Sequence, residues 1–385
     1  MNINHYYKYD FEPISKNLSS SEIKLSELEN IRYIENPKYF HKETAYKKKI
    51  DGKISYYYYF SKIKSVKASL GTRYLTHGLD LYKGNFHAQM IRSLINYCNL
   101  PPKSIILDPF CGSGTTLIEA NLLEFNAIGI DINPIACFNS HIKTKLLDVP
   151  LDFLISHNKK YFDINYYNKK NFTKFNFNEI LKINIRELFY LFIYTRAISD
   201  ETYILKNRFE SFKDNYEIII DILRNYQILK KQLRLSIGKT KIMHGDNLFH
   251  LKLIKKNIID CIITSPPYLD VIDYISNDRN QIKYFINESE INQLRNKSYE
   301  QKYESYRITE KKFWLKIEKF LQEAFRILKS NSHLIIVVGF YRKMHENLSR
   351  LAKDIGFIME MIIKREFFNF KGKKNHDFIL FFKKI

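Results

Sequence analysis

The sequence predicts an α/β fold: a mainly parallel sheet of seven strands with flanking helices and a largely helical insert. Short apolar runs recur along the chain and end in Asp, Gly or Pro, which is typical of buried parallel strands. Segments with apolar residues at helical spacing lie between these runs, as in a fold built from βαβ units. Residues 145–240 interrupt this alternation with further helical spacing and almost no glycine.

The seven strands are predicted where the apolar runs lie, in chain order at residues 104–107, 126–131, 241–246, 258–263, 334–338, 357–363 and 378–382. The last two form a terminal hairpin around the basic stretch Lys371–Asn375. Helices are predicted where apolar side chains line one face, at residues 90–95, 181–192, 218–229, 313–328 and 348–355. Gly356 gives the last of these helices a C-terminal cap.

The composition excludes a disordered chain and favours a polyanionic partner. The 385 residues are 45% hydrophobic and 15% aromatic, enough for a sizeable core divided among about two or three domains. The formal net charge is +21, which favours DNA or RNA as a partner. The alternative explanation of the positive charge is an AT-biased genome, since Lys, Asn, Ile and Tyr are abundant throughout the chain.

The cysteines and the hydropathy predict a cytoplasmic protein with neither a metal centre nor a membrane span. Cys98, Cys111, Cys137 and Cys261 form no CxxC pair, so neither a zinc site nor a disulfide framework is expected. The chain contains no apolar run of about 18 residues, the length that a membrane helix needs. Its N-terminus has no signal-peptide core.

The stretch Ser265-Pro-Pro-Tyr268 follows the apolar run at 258–263 and is the strongest candidate for chemistry. Two prolines fix φ and cannot donate ladder hydrogen bonds, so the strand ends in a stiff loop at its carboxyl end. Ligands of open α/β sheets bind at that end. The alternative is a rigid proline turn with a packed tyrosine.

An exocyclic amine of a nucleobase would suit these residues. Its nitrogen is a poor nucleophile because the lone pair is delocalised into the ring. The Ser265 hydroxyl and the Pro266 carbonyl are acceptors for the amino hydrogens, and such bonds favour a tetrahedral nitrogen with a localised lone pair. Tyr268 offers an aromatic face on which a flipped base can stack.

A second candidate site begins at Asp108, where a predicted strand meets the run Asp-Pro-Phe-Cys-Gly-Ser-Gly-Thr-Thr and a helix follows. Gly112 and Gly114 allow close approach of the backbone, and the helix N-terminus offers free N–H groups to an anion. The alternative is an ordinary tight βα turn. Leu117 stands where a G-x-G-x-x-G motif needs glycine, so an NAD or FAD site is disfavoured.

Asp131 closes the second predicted strand. A carboxylate at this position can accept both ribose hydroxyls of a nucleoside cofactor. The alternative is a helix N-cap, since Pro134 begins the next predicted helix. The two roles are compatible at neighbouring positions.

Three further segments have open roles. Residues 1–70 show little periodicity beyond a short helix at 20–28 and an aromatic run at 56–60, and they are expected to pack against the main domain. The insert is rich in Lys and Arg and is either a DNA-contacting lobe or a solvated helical face. Residues 270–310 are polar, include Tyr299, and either close over a substrate or are mobile.

With these pieces placed, the sequence resembles the amino-methyltransferases that modify DNA on cytosine N4 or adenine N6. Asp108–Thr116 resembles their S-adenosylmethionine loop, and Ser265–Tyr268 resembles their catalytic tetrapeptide. Thr76–Phe86 is similar to the segment that precedes the first strand and completes the cofactor pocket. The resemblance covers about residues 71–140 and 241–385 and depends on the two main motifs together.

The resemblance implies a Rossmann-like, seven-stranded methyltransferase sheet, S-adenosylmethionine as the cofactor, and no metal. It implies catalytic roles for Ser265, Pro266, Pro267 and Tyr268 in a single-step transfer. It also implies cofactor-binding roles for a set of loop, strand-end and aromatic positions: Tyr82, Phe86, Asp108, Phe110, Gly112, Gly114, Asp131 and Asp246. Of these, Asp131 is expected to hold the ribose and Asp246 the adenine amine.

The predicted domains are an N-terminal extension at 1–70, a catalytic domain at 71–144 and 241–385, and an insert at 145–240 with a target-recognition role. In the family, Ser at the position of Ser265 is associated with cytosine N4. The predicted function is DNA methylation at cytosine N4 in a restriction-modification or related system, with a partner restriction endonuclease. The alternatives are adenine-N6 methylation, methylation of an RNA base amine, and a non-catalytic DNA-binding protein on the same fold.

Overall fold

The computed structural model describes most of the chain from Leu75 onward and three short pieces before it. The described residues are 32–33, 49–50, 53–54, 75–80, 86–155, 162–170, 172–174, 177–232, 235–267, 274–299, 306–339, 343–368 and 374–385. The predicted helix at 20–28 and the predicted aromatic strand at 56–60 lie outside them. Within the described residues, no helix is both long and apolar enough to cross a membrane.

The main sheet confirms the seven predicted strands and carries one short strand more at its edge. The strands are β1 (Arg32–Tyr33), β2 (Lys49–Ile50), β3 (Lys53–Ile54), β4 (Ile105–Asp108), β5 (Asn126–Asp131), β6 (Thr240–His244), β7 (Ile259–Thr264), β8 (Leu328–Gly339), β9 (Ile358–Phe368) and β10 (Lys374–Lys383). The sheet order is β1-β9-β10-β8-β7-β4-β5-β6, while β2 and β3 pair with each other. Strands β4 to β8 run parallel to one another, and β10 runs antiparallel to both β8 and β9.

The helices alternate with the strands as the periodicity predicts. They are α1 (Ala88–Tyr97), α2 (Thr115–Leu122), α3 (Pro134–Lys145), α4 (Leu151–Ile155), α5 (Ile164–Lys169), α6 (Phe177–Ile180), α7 (Ile185–Ile204), α8 (Arg208–Gln232), α9 (Asn247–Leu253), α10 (Tyr274–Asn277), α11 (Arg279–Ile282), α12 (Glu288–Lys297), α13 (Tyr306–Ile327) and α14 (Met344–Ile355). Short 3₁₀ turns occupy Leu75–Gly78 and Phe172–Lys174.

Several predicted boundaries were wrong because apolar spacing does not mark where a helix ends. Leu328 was predicted on a helix face, but it begins β8. Leu181 was predicted to share a helix with Leu188, but it lies between α6 and α7. Lys374 and Asn375 lie in β10 and not in the predicted basic loop. Gly356 does end α14, with the left-handed φ of 114° that favours glycine at this position.

Buried strand residues alternate between two helical layers. In β4 and β7, Ile106 and Ile263 face the layer of α1 and α2, whereas Leu107 and Ile262 face the layer of α9, α13 and α14. All six residues of β7 are buried, as expected for a central parallel strand. Asp260, the one charged residue of β7, accepts a hydrogen bond from Ile105 N at 2.8 Å and so fixes the start of β4.

The helices of the insert continue the layer that α3 begins. Phe138 on α3 lies 6.4 Å from Phe192 on α7 and 5.0 Å from Phe285, measured between ring centroids. Tyr226 on α8 is buried and donates a hydrogen bond to the Leu147 carbonyl at 2.8 Å. The described part of the insert is therefore helical, as predicted, and it shares one apolar cluster with α3. That residues 145–240 form a separate target-recognition unit stays a prediction.

Candidate active site

The two motifs follow neighbouring strands. Strands β4 and β7 are parallel and adjacent, with Ile106 opposite Cys261 and Leu107 opposite Ile262. Their carboxyl ends therefore lie at one edge of the sheet, and the strand order reverses between them, which is where open α/β sheets bind ligands. At that edge Thr264 Oγ1 donates a hydrogen bond to Asp108 Oδ1 at 2.6 Å.

The glycine loop is held against β5 and α3. Gly112 has φ of 50° and Gly114 has φ of 85°, both in the left-handed region that favours glycine. Ser140 Oγ donates a hydrogen bond to the Gly112 carbonyl at 2.7 Å. A Cβ on Gly114 would lie only 2.9 Å from Ser140 Oγ. The positive φ at both positions therefore favours glycine. At Gly114 the close approach of Ser140 on α3 also leaves no room for a side chain.

Asp131 connects the glycine loop to the end of β5. Its Oδ2 accepts a hydrogen bond from Gly112 N, and its Oδ1 accepts one from Asn133 N, both at 2.8 Å. Burial raises the pKa of Asp131 to about 6, although these backbone N–H groups favour the ionised form. The N-cap of α3 is Asn133, whose side chain accepts a hydrogen bond from Ile135 N at 2.9 Å. The alternative that made Asp131 the helix cap was therefore wrong.

Asp246 lies beside Asp131 because β6 pairs with β5. Gly245 N donates a hydrogen bond to the Asp131 carbonyl at 2.8 Å, which fixes the turn that carries Asp246. Asp246 caps α9, with Oδ1 accepting a hydrogen bond from Leu248 N at 2.9 Å. A carboxylate has about four acceptor positions, so one capping bond leaves Asp246 with acceptor capacity.

Aromatic side chains pack around Phe110 of the glycine loop. The Phe110 ring contacts Tyr299 edge-on at 5.1 Å and Phe320 at 5.3 Å. Tyr299 is buried and donates a hydrogen bond to Asn247 Oδ1 at 3.1 Å, next to Asp246. Sequence reasoning placed Tyr299 only in a polar segment, because no periodic pattern surrounds it. Its contacts instead make it a support for Phe110.

A buried charged cluster ties the segment before the first strand to α2. Glu119 accepts hydrogen bonds from His77 at 2.7 Å and from Arg92 at 3.0 Å, and all three side chains are buried. Sequence reasoning assigned His77 a structural or surface placement and missed Glu119. The available signal was a carboxylate inside an otherwise apolar helix. The cluster fixes His77, near the start of the Thr76–Phe86 segment that is expected to complete the cofactor pocket.

The segment after the Ser-Pro-Pro-Tyr loop returns to the same edge of the sheet. Asn133 Nδ2 donates a hydrogen bond to Asp278 Oδ2 at 2.7 Å, only two residues from Asp131. Tyr203 on the insert donates to the carbonyl of Asn277. The insert and residues 274–282 therefore meet beside Asp131. Whether this segment closes over a substrate stays a prediction.

The structure brings most of the predicted site residues to one edge. Asp108, Phe110, Gly112, Gly114, Asp131, Asp246, Ser265, Pro266 and Pro267 follow the carboxyl ends of β4, β5, β6 and β7. Phe86 is partly buried against the apolar cluster of α1 and α2. Tyr82 and Tyr268 lie outside the described residues. Ser265 and Pro267 are half-buried, and Pro266 is buried.

The donors and acceptors at this edge suit a nucleoside with a charged tail. Carboxylates at Asp131 and Asp246 can accept hydroxyl and amine hydrogens. The first N–H groups of α2 have no partners within the helix and can meet an anion. Phe110 supplies an aromatic contact. These groups fit S-adenosylmethionine. Among the described residues, no group of three or more His, Cys, Asp or Glu side chains is arranged to hold a metal ion.

Thr264→Val is expected to lower the free energy of unfolding by about 1–3 kcal/mol, because it removes a hydrogen bond to a buried carboxylate. Asp108 is only 1% exposed, and burial raises its pKa to about 6 against the opposing effect of the Thr264 hydroxyl. Urea unfolding at pH 7 measures the change. Thr264→Ser keeps the hydroxyl and should retain most of the stability. Equal losses in the two variants would show that the hydrogen bond contributes nothing.

The fold is a Rossmann-like, mainly parallel sheet, and the glycine loop and the Ser-Pro-Pro corner lie at one edge of it. A family model described as "DNA methylase" matches residues 2–140. This part of the chain is therefore similar to DNA methylases, as are the segments matched by the curated relatives described next.

Two curated relatives are type II methyltransferases. M.BsoBI of Geobacillus stearothermophilus is 25% identical over 279 residues, which cover 57% of this chain and 54% of that protein. M.MjaII of Methanocaldococcus jannaschii is 31% identical over 147 residues, which cover 30% of this chain and 27% of that protein. The chain thus spans about half or less of the length of these relatives. Among solved structures, a SAM-dependent methyltransferase from Methanosarcina mazei aligns with a TM-score of 0.36 and 13% identity, covering 80% of this chain and 99% of that chain.

Proposed function

We propose that this chain uses S-adenosylmethionine to methylate an exocyclic amine of a DNA base. The observation that carries the proposal is the 2.6 Å hydrogen bond from Thr264 Oγ1 to Asp108 Oδ1. This bond joins the start of the glycine loop to the residue before Ser265. A methyl donor on the loop and an amine at Ser265 would therefore meet over a single crevice.

The cofactor roles follow from the groups around that crevice. Asp131 would accept the ribose hydroxyls and Asp246 the adenine amine, while Phe110 packs against the cofactor. Backbone N–H groups near Gly112 and Gly114 would meet the methionyl end. When bound, S-adenosylmethionine supplies a methyl group on a positively charged sulfonium, which is a good leaving group.

The acceptor base would be turned out of the duplex and stacked on Tyr268. Ser265 and the Pro266 carbonyl would accept the amino hydrogens and orient the nitrogen lone pair toward the methyl group. The N–C bond forms as the S–C bond breaks, and the amine then releases a proton to solvent. Catalysis comes mainly from positioning, because two reactants held in line no longer need to meet by diffusion.

We infer that the base is cytosine, methylated at N4, and that the chain acts in a restriction-modification system beside a partner endonuclease. Ser265 at the first tetrapeptide position supports the choice of cytosine. The insert at residues 145–240 is proposed to read the target, since it meets residues 274–282 beside Asp131 through Tyr203 and brings many Lys and Arg side chains. Such side chains supply the phosphate contacts of DNA-binding proteins.

Cofactor binding is expected to weaken as the pH falls below about 6, by roughly tenfold per pH unit, because the Asp131 carboxyl then becomes protonated. The same protonation should not destabilise the folded state. Asp108 and Asp131 both have raised pKa values in the folded chain, so protonating them between about pH 4 and 6 favours the folded state over the unfolded state. Equilibrium binding of S-adenosylmethionine from pH 5 to 8 measures the effect.

The matched control for this pH series is Asp131→Asn, which cannot ionise. Its affinity should be weaker at pH 7.5 and nearly independent of pH over the same range. A wild-type affinity that stayed constant from pH 5 to 8 would contradict a role for the Asp131 carboxylate in binding.

Modification-sensitive sequencing of host DNA with and without this protein tests the proposed function. N4-methylcytosine in a fixed sequence context is the expected result. N6-methyladenine would show that the inference from Ser265 is wrong, while the site assignment would stand. In vitro, methyl incorporation into duplex DNA is compared with incorporation into tRNA. Labelling of tRNA alone would overturn the DNA proposal, and absence of S-adenosylmethionine binding would favour a non-catalytic DNA-binding protein.

A further inference from the structure

Two thiols that are distant in sequence lie close together where the end of α1 meets β7. Cys98 Sγ and Cys261 Sγ are 3.6 Å apart. Cys261 lies in β7 and is completely buried, whereas Cys98 follows α1 and is partly exposed. Both are free thiols. Neither belongs to the proposed cofactor or base site, so their pairing has no explanation in the methyl transfer.

The groups around the pair make the two thiols chemically unequal. His333 lies opposite Cys261 in the register of β7 and β8, and its Nε2 is 2.9 Å from Glu360 Oε2. Hydrogen bonding by Cys261 and His333 lowers the pKa of the Cys98 thiol. The pKa of His333 is raised, chiefly by Cys98 and also by Glu360. The pKa of Cys261 is raised by the bond to Cys98 and by burial.

This arrangement places the Cys98 thiol, whose pKa is lowered, beside the His333 imidazole and a second thiol. A lowered pKa and partial exposure are the conditions under which cysteine reacts with oxidants. Within the described ranges, which include these two thiols, His333 and Glu360, no set of three or more His, Cys, Asp or Glu side chains is arranged to hold a metal ion.

We propose that Cys98 and Cys261 are an oxidisable pair that hydrogen peroxide converts to an intramolecular disulfide. The Cys98 thiolate attacks one peroxide oxygen, the O–O bond breaks, and the departing hydroxide takes a proton from His333. Cys98 is thereby oxidised to a sulfenic acid and the peroxide is reduced to water. The Cys261 sulfur then attacks the Cys98 sulfur, the S–O bond breaks, and a second water leaves with the Cys261 proton.

The geometry allows this closure with little movement. A disulfide has an S–S length of about 2.05 Å, so the two sulfurs need to approach by about 1.5 Å. Cys98 lies just beyond α1, at a partly exposed position. The bond would tie the end of α1 to the strand that carries Thr264 and leads into Ser265.

The test uses the full chain, reduced, desalted and kept in a metal chelator. It is treated with hydrogen peroxide, blocked with an alkylating agent and digested without reductant, and the peptides are identified by mass spectrometry. The expected product is a cross-linked pair of peptides that contain Cys98 and Cys261. Free thiols should fall from four to two, because one disulfide uses two of them. Cys98→Ser should abolish the cross-link, and the matched control Cys137→Ser should retain it.

Two further variants separate the steps. Cys261→Ser should leave Cys98 as a sulfenic acid that dimedone traps. His333→Gln should slow thiol loss on the order of tenfold, because it raises the pKa of Cys98 and removes the proton donor. Circular dichroism checks that each variant is folded. The proposal is overturned if the wild-type chain keeps all its thiols, if Cys98 proceeds to sulfinic acid without a cross-link, or if the chain is isolated with stoichiometric metal on these thiols.

Discussion

Ser265→Ala combined with Tyr268→Ala is expected to reduce methyl transfer at least about 1,000-fold while cofactor affinity changes by no more than about twofold. The double variant removes the acceptor for the amino hydrogens and the aromatic face for the base. The groups proposed to bind S-adenosylmethionine follow β4, β5 and β6 and stay intact. Single-turnover transfer to duplex DNA and equilibrium binding of the cofactor measure the two effects separately.

Single variants assign the loss to one side chain or the other. Tyr268→Phe keeps the ring and should retain most of the activity, since stacking does not need the hydroxyl. Ser330→Ala is a matched control. Ser330 is an exposed serine near the amino-terminal end of β8, away from the carboxyl ends of the strands where the candidate site lies. Normal transfer by the Ser265/Tyr268 double variant would show that the Ser-Pro-Pro-Tyr corner is not the catalytic site.

Asp131→Ala is expected to raise the dissociation constant of S-adenosylmethionine on the order of 100-fold, which corresponds to about 2.7 kcal/mol. Two effects add in this variant. The ribose loses its acceptor, and Gly112 N loses the carboxylate oxygen that holds the glycine loop at 2.8 Å. Isothermal titration calorimetry measures the affinity.

The control for a purely structural effect is Asp163→Ala. Asp163 caps α5 in the insert and accepts a hydrogen bond from Asn165 N at 2.9 Å, much as Asp131 does from Asn133 N. Its replacement should cost about 1 kcal/mol of stability and leave cofactor affinity unchanged. An unchanged dissociation constant in Asp131→Ala would mean that Asp131 only shapes the backbone.

The strands of the sheet were predictable because the signal is local. A buried parallel strand needs consecutive apolar residues, and a proline or glycine that ends it is adjacent in sequence. Residues 126–131 and 258–263 show both features, and the structure has strands at nearly the same positions. The order of strands in the sheet was not predicted, since no local pattern in the sequence states which strands are neighbours.

Parts of the candidate site had no local signal. The support of Phe110 by Tyr299 joins residues far apart in sequence. The hydrogen bond between His77 and Glu119 likewise joins residues 42 positions apart in sequence. The choice of Asn133 over Asp131 as the cap of α3 is local, but both side chains can cap a helix, so only the backbone path decided between them.

The sequence by itself determined the alternation of strands and helices, the stiff Ser265-Pro-Pro corner and the glycine loop, because each depends on backbone preferences of adjacent residues. Only the tertiary structure decided that Thr264 donates to Asp108 and that Cys98 lies 3.6 Å from Cys261. The first contact exists because β4 and β7 are neighbours in the sheet, and the second because α1 packs against β7; each joins residues more than 150 positions apart. Pairing of that kind is selected by the burial of whole strand faces, a property of the assembled core and of no single segment.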